Sequence, residues 1–129
     1  MTGEHERRIG ELLPGAAVHL GGSALVTGEP ADYDLVVLVD DVAGSAARLA
    51  DVYPPLYPEE WRDDWAAFRD PGPPQVDIVL TVEGSDGDRR HRLAWRLLAA
   101  DPQLLAEYRA AKETPEGKRE FFARLAARL

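Results

Sequence analysis

The sequence predicts an α/β (α+β) protein with a small mixed β-sheet, flanking helices and a helical tail towards the C-terminus. Residues 35–39 and 76–82 are apolar on both faces of a strand, which is typical of strands inside a sheet that is covered on both sides. After residue 88, apolar residues recur at helical spacing. With 129 residues in all, we expect one domain, with its core at about 1–83 and its tail at about 88–129.

The composition excludes several classes of protein. Hydrophobic residues make up 45% of the chain, so a folded core is expected. No cysteine is present, which excludes disulfides and thiolate metal sites. We find neither a signal-peptide pattern nor a membrane-spanning run, and we expect a cytoplasmic protein with no membrane partner. The net charge of −8 argues against nucleic acid as a partner, whereas a bound metal could offset the charge of a nucleotide.

The N-terminal half is predicted to alternate between helices and strands. The pattern predicts a helix over 2–13, a strand over 16–20, a loop over 24–31, a strand over 35–39 and a helix over 41–52. Thr2 is expected to cap the first helix, and the Asp40-Asp41 pair the second. The apolar face of that second helix is Val42, Ala46, Leu49 and Tyr53.

Residues 53–74 allow two interpretations. Trp61, Trp65 and Phe68 have helical spacing, which favours a short helix opened by Pro58. The alternative is a strand around 65–69 that turns through prolines into the strand at 76–82. We favour this hairpin. We expect the three aromatic residues to pack in the core or as a lid rather than to stack on bases.

The tail is predicted to contain three helices after a turn at 84–88. The first covers 89–100. Asp101 and Thr114 each precede a proline and should cap the next two helices. Their predicted apolar faces are Leu104, Leu105, Tyr108 and Ala111 in one helix, and Phe122, Leu125, Ala126 and Leu129 in the other.

Three aspartates at the start of the apolar strands carry the main chemical signal. Asp32 and Asp34 are two positions apart, so in a strand they share one face. Two adjacent carboxylates repel each other unless a cation lies between them, and Mg²⁺ commonly binds one or two carboxylates together with substrate phosphates. Asp77 begins the later strand. Taken alone, Asp32 could cap a loop, and Asp77 could pair with an arginine.

These residues resemble the nucleotidyltransferase fold of the polymerase β superfamily. Its pattern is Gly-Ser, a variable loop, Asp-hydrophobic-Asp and a third acid on a neighbouring strand. The matching residues here are Gly22-Ser23, Asp32-Tyr33-Asp34 and Asp77. The loop between Ser23 and Asp32 is short for that superfamily.

The tail resembles the GrpB branch of that superfamily. GrpB proteins end in a Pro-x-x-x-x-x-Tyr-x-x-x-Lys helix and then a Gly-Lys-x-x-Phe element, and here residues 102–112 and 117–121 match. The chain departs from the family in two places. Trp95-Arg96 stands where the family has an Arg-Asp pair, and Asp77 lies on a strand that often carries histidines.

The resemblance implies an Mg²⁺-dependent enzyme that uses an NTP, with ATP as the expected choice. It would transfer a nucleotidyl group to a small-molecule or protein acceptor, or adenylate an acceptor and ligate it. Asp32, Asp34 and Asp77 would be the catalytic residues and would hold two Mg²⁺ ions. The triphosphate would be bound by Gly22, Ser23, Arg92, Arg109, Lys112 and Lys118.

The alternative is a non-catalytic nucleotide- or protein-binding module on the same fold, such as a sensor or an antitoxin-like partner. The complete aspartate set argues against this alternative, and the short loop after Ser23 argues for it. The sequence leaves the acceptor, the preferred base and the oligomeric state open.

Overall fold

The computed structural model describes residues 2–129 and confirms the predicted mixed α/β architecture. The strands are β1 Ala17–Gly21, β2 Asp32–Leu38, β3 Trp65–Asp70 and β4 Gln75–Thr81. The helices are α1 Gly3–Leu12, α2 Val42–Leu49, α3 Asp86–Asp88, α4 Ala94–Ala100, α5 Pro102–Ala111 and α6 Pro115–Ala127. Two 3-10 turns cover Gly22–Leu25 and Pro58–Glu60, and a π-helical segment, Arg89–Leu93, joins α3 to α4.

The four strands form one sheet in the order β1-β2-β4-β3. The central strands β2 and β4 are parallel, and each edge strand is antiparallel to its neighbour. Asp34 is paired with Gly21 on one side and with Asp77 on the other, and Asp77 is paired with Arg69. These four residues therefore form one row across the sheet.

One face of the sheet packs against α1 and α2. The apolar face predicted for the second helix is confirmed, because Val42, Ala46, Leu49 and Tyr53 are all buried there. The sheet side chains on this face point away from the aspartates, because they alternate with them along the strands. The buried cluster on this face is Ile9, Leu13, Leu35, Val37, Val42, Ala46, Leu49, Tyr53, Ala66, Phe68, Val76, Ile78 and Leu80.

The helical tail has a second apolar cluster of its own, formed by Ala94, Leu98, Leu104, Tyr108, Phe121 and Leu125. The prediction for α6 was partly wrong. Phe121 is buried while Phe122 is only partly covered, and Leu129 is 42% exposed. The physical reason is that α6 ends at Ala127, so Leu129 does not continue the helical face.

The hairpin interpretation of residues 53–74 is confirmed. β3 runs antiparallel to β4, and Pro58 opens only a single 3-10 turn. The two tryptophans of this region lie on opposite sides. Trp61 packs on Phe68 in the α1 and α2 cluster, whereas Trp65 stacks on His91 of the tail.

Three of the four predicted helix caps are confirmed. The side chains of Asp41, Asp101 and Thr114 accept hydrogen bonds from the backbone amides that follow them. The cap predicted at Thr2 was wrong, because its hydroxyl donates to Glu6 instead. None of the helices described here is long and apolar enough to cross a membrane.

Two boundaries differ from the sequence prediction in ways that matter for the site. β2 begins at Asp32, three residues earlier than predicted, because it pairs with β4 as far down as Gln75. Helical structure in the tail starts at Asp86 rather than Arg89, and it passes through π-helical geometry. Such π-helical segments are frequent at functional sites.

Candidate active site

The candidate site is centred on two carboxylates in the middle of the sheet. Asp34 of β2 and Asp77 of β4 are direct neighbours in the parallel register, and adjacent strands are about 4.8 Å apart. Asp32 lies two residues before Asp34 on the same strand and therefore on the same face. The structure thus brings the three predicted aspartates to one face of the sheet.

The Gly22–Ser23 turn lies against this carboxylate pair. Gly22 follows β1 with a φ of +64°, and a Cβ at this position would collide with the carboxylate of Asp34. Position 22 therefore requires glycine, which adopts a positive φ at little cost and leaves room for the Asp34 side chain. The turn continues as a 3-10 helix whose Ser23 carbonyl accepts the amides of Val26 and Thr27.

The surroundings of Asp34 disfavour its charged form. Burial and the charges of Asp77 and Asp32 raise the pKa of Asp34 to about 6, although Lys118 and Arg69 oppose the shift. A carboxylate with a raised pKa gains when a cation approaches, because the cation compensates both lost hydration and like-charge repulsion. Perturbed groups of this kind are frequent at functional sites.

Asp77 already has a cationic partner. The guanidinium of Arg69 donates two hydrogen bonds to the two oxygens of Asp77, at 2.7 and 2.9 Å. The sequence alternative of an arginine partner for Asp77 is therefore what the structure shows. The sequence pattern does not single out Arg69, because only the register of the hairpin reveals which β3 residue lies beside Asp77.

The donor set fits one magnesium ion better than two. Within residues 2–129, no three His, Cys, Asp or Glu side chains are grouped so that they could hold a metal ion, and both oxygens of Asp77 bind Arg69. Asp32 and Asp34 remain as a carboxylate pair. Two carboxylates completed by substrate phosphates and waters are a common magnesium environment.

The four tail cations that were predicted to bind phosphate have four different environments. The charge of Lys118 acts on Asp34. Arg109 is exposed on α5, and the ammonium of Lys112 lies over the Tyr108 ring at 5.6 Å. Arg92 is buried and donates to both oxygens of Asp88 at 2.7 Å, which gives it a structural role.

A pocket of about 220 Å³ adjoins the carboxylates between the sheet and the tail. Gly22, Asp34, Asp77 and Arg69 line one part of it. The remaining lining residues were not singled out as a pocket by the sequence and are Val36, Leu56, Tyr57, Trp65, Ala67, Val79, His91 and Trp95. A larger groove of about 570 Å³ at the opposite ends of β2 and β4 contains none of the predicted site residues.

Comparison with known proteins identifies the fold. No family model matches the sequence, and no curated protein matches it. Among solved structures, the conserved protein GrpB from Enterococcus faecalis superposes with a TM-score of 0.72. The alignment covers 98% of this chain and 88% of that one, at 13% sequence identity. This chain has a GrpB-like fold. At this level of identity, the likeness concerns the fold alone.

The Gly-Lys-x-x-Phe element of the tail has a clear physical role in this structure. Gly117 begins the Gly-Lys-x-x-Phe element, and a Cβ there would collide with the carbonyl oxygen of Ala111. Glycine therefore lets the start of α6 approach the end of α5. Phe121 of the same element is buried in the tail cluster, and this packing fixes the helix that carries Lys118.

Proposed function

We propose that this chain is a nucleotidyltransferase-type enzyme that uses Mg²⁺ and an NTP, with ATP as the first candidate. The observation that carries the proposal is the row formed by Gly21, Asp34 and Asp77 across three strands, with the Gly22 turn packed on the Asp34 carboxylate. The desolvated Asp34 carboxylate, with Asp32 two residues before it and a glycine turn against it, suits a cation and a phosphate group at the same place.

Each group of residues has its own task in this proposal. Asp32 and Asp34 would hold the magnesium ion, which supplies positive charge to the triphosphate. Backbone amides of Gly22 and Ser23 would bind phosphate oxygens, because a turn without bulky side chains lets phosphate approach closely. Lys118 adds positive charge from α6. The acceptor is a small molecule or a protein.

Arg69 and Asp77 would act together on the acceptor side. In the structure, each neutralises the other. An anionic substrate group would compete with Asp77 for the Arg69 guanidinium, because bidentate binding of carboxylate or phosphate is what this side chain does best. Release from Arg69 would free Asp77 to accept the proton of an attacking hydroxyl.

One specific observation favours the alternative of a non-catalytic binding module on the same fold. The guanidinium of Arg69 holds both oxygens of Asp77, which is the third acid of the nucleotidyltransferase pattern. A protein that binds a nucleotide without transferring it needs only the Gly22–Ser23 turn and the Asp32–Asp34 pair.

The first experiment is calorimetric titration with an ATP analogue whose α–β bond cannot be cleaved, with and without Mg²⁺. We expect binding to wild type that requires Mg²⁺ and is lost in Asp34→Asn. The matched control is Asp51→Asn, since Asp51 is exposed beyond the end of α2. Failure of wild type to bind any nucleoside triphosphate in the presence of Mg²⁺ would overturn the proposal.

A second assay separates catalysis from binding. Pyrophosphate release from the four NTPs would be measured with acceptor mixtures that contain hydroxyl, phosphate and carboxylate compounds. The enzyme hypothesis predicts release by wild type and none by Asp77→Asn. Mg²⁺-dependent binding that survives Asp77→Asn, without any release by wild type, would support the binding module instead.

A further inference from the structure

The geometry points to a ring-binding slot in the same site, formed by Trp65, His91 and Trp95, for one planar, neutral, six-membered ring that carries a hydrogen-bond acceptor. The inference depends on the proposed function in one respect only, namely the identity of the substrate that supplies the ring. The slot itself follows from the shape and the chemistry of the pocket between sheet and tail.

The slot and the carboxylates are two ends of one pocket. Arg69 on β3 is paired with Asp77, and Trp65, four residues away on the same strand, is paired with Thr81. At the usual rise of a strand, the two ends are about 13 Å apart. Between them, Ala67 and Val79 are paired and line the pocket. A substrate with charge at one end and a ring at the other would fit this arrangement.

The walls of the slot are aromatic and held in place from behind. Trp65 and His91 are stacked with a centroid distance of 5.8 Å and an interplanar angle of 21°. Trp95 packs against Tyr108 and Phe122, each at 5.2 Å. Because the tail cluster fixes Trp95, and Trp65 and His91 pack on each other, a planar ligand would meet a preformed surface suited to stacking.

Trp65 also carries a hydrogen-bond donor that is not used within the protein. Its indole nitrogen Nε1 is buried, and it has no partner among residues 2–129. Buried indole N–H groups normally find an acceptor. Trp61 shows the usual situation, since its Nε1 donates to the carbonyl of Leu56 at 2.9 Å. An oxygen or nitrogen on the edge of a bound ring would satisfy the donor of Trp65.

The aromatic end favours a neutral ligand. Burial lowers the pKa of His91 to about 4, and the charges of Arg62 and Arg90 lower it further, so the imidazole is uncharged at neutral pH. The walls there supply aromatic stacking surfaces, and the middle of the pocket adds apolar contacts from Val36, Ala67 and Val79. The charged groups of the pocket are at its other end.

The size of the pocket sets the size of the ring. The whole pocket, with its carboxylate end included, has a volume of about 220 Å³, and a cavity of about 150 Å³ is known to accept benzene. The aromatic end therefore has room for no more than one six-membered ring. The adenine of ATP is a fused double ring and is too large for the slot. The ring is therefore an aromatic ring of the acceptor or, if the enzyme uses UTP or CTP instead of ATP, the pyrimidine base of the nucleotide.

The test uses the indole N–H signals of the three tryptophans in nitrogen-15 NMR spectra. Uridine represents the base and benzamide represents an acceptor ring, and each is titrated alone up to its solubility limit. The Trp65 signal is assigned by its disappearance in Trp65→Phe, a change that keeps a ring but removes the donor. Trp61→Phe is the matched control, and thermal unfolding verifies that both variants are folded.

We expect at least one probe to shift the Trp65 signal, and Trp65→Phe to weaken its binding about five- to tenfold. Trp61→Phe should change this affinity less than about twofold. Tighter binding of uridine assigns the ring to the nucleotide, and tighter binding of benzamide assigns it to the acceptor. The slot is disproved if neither probe shifts the Trp65 signal, or if Trp65→Phe binds as well as wild type.

A parallel titration with Mg²⁺ and inorganic tripolyphosphate keeps the two proposals separate. Tripolyphosphate binding lost in Asp34→Asn, with no response to either ring, would overturn the slot and support the proposed function. Ring binding without any tripolyphosphate binding would support the slot and count against the proposed function.

Discussion

Arg69 and Asp77 form a two-pronged ion pair at the centre of the candidate site, with N–O distances of 2.7 and 2.9 Å. Hydrogen bonding to Asp77 raises the pKa of Arg69. The guanidinium also lowers the pKa of Asp34, which stands on the other side of Asp77. One arginine thus partly neutralises two neighbouring carboxylates.

Without Arg69, the repulsion between the carboxylates of Asp34 and Asp77 should increase. We expect Arg69→Gln to lower the free energy of unfolding at neutral pH by about 1 kcal/mol, because the pair is partly exposed and screened by solvent. It should also raise the pKa of Asp34. Denaturant unfolding in a double-mutant cycle with Asp77→Asn measures the coupling. The exposed Arg7→Gln is the control, and a coupling of zero between positions 69 and 77 would contradict the assignment.

Asp34 should make the folded protein less stable as the pH rises. Its pKa is about 6 in the fold against an ordinary value of 3.8, so between these values the folded state holds the proton more tightly than the unfolded chain does. Stability is therefore lost as the pH increases through this window, and the full penalty is present above about pH 6.

Asp34→Asn removes that penalty. Without added metal, the variant should be more stable than wild type by about 3 kcal/mol at pH 8, and the difference should shrink towards zero near pH 4. Denaturant titrations at both pH values measure it. The exposed Asp51→Asn control should stay within about 0.5 kcal/mol of wild type. A variant less stable than wild type at pH 8 would show that ionised Asp34 is not strained.

Lys118 should act on the site, whereas Lys112 should not. The positive charge of Lys118 lowers the pKa of Asp34, so Lys118→Gln should raise that pKa. The matched change Lys112→Gln should leave it in place, since Lys112 lies over the Tyr108 ring. Carbon-13 NMR of the aspartate carboxyls measures both variants. Equal effects of the two lysines would contradict the placement of α6.

Arg92 should prove to be a structural residue. It is 6% exposed and pairs with Asp88, which is fully buried. Burial raises the pKa of Asp88, but the hydrogen bonds from Arg92 and the Gly84 amide outweigh this effect and hold the pKa below its usual value. The stability from this pair is therefore present above the unfolded pKa and is lost as the pH falls through the lower folded pKa.

Removing Arg92 leaves a buried carboxylate without its cation. We expect Arg92→Ala to destabilise the fold by about 3 kcal/mol at neutral pH, as measured by denaturant unfolding. The control is Arg96→Ala, because the side chain of Arg96 in α4 is exposed. This change should alter stability by less than about 0.5 kcal/mol. A loss for Arg92→Ala no larger than that of the control would show that the pair does not hold the tail.

The sequence predicted the parts of the fold that depend on local pattern. Alternation along β2 placed Asp32 and Asp34 on one face, and residues with known preferences marked the caps at Asp101 and Thr114. That Asp77 joins them was implied only by the family resemblance, because alternation within one strand says nothing about its neighbour. Even the interior position of β2 and β4 follows from their two apolar faces.

Contacts that depend on register or on tertiary packing could not be predicted in the same way. Arg69 meets Asp77 only because β3 pairs with β4 in one particular register. His91 reaches Trp65 from a π-helical segment, whose spacing differs from that of an α-helix. Arg92 has the charge expected of a phosphate ligand, but a carboxylate one helical turn away binds it.

The most direct test of the proposed cation site is the titration of the Asp34 carboxyl by carbon-13 NMR, first without metal and then with Mg²⁺. We predict a pKa of about 6 without metal. In saturating Mg²⁺ the pKa should fall by at least about one unit, because a bound cation favours the ionised carboxylate. The same pKa with and without Mg²⁺ would contradict the claim that Asp32 and Asp34 form a cation site.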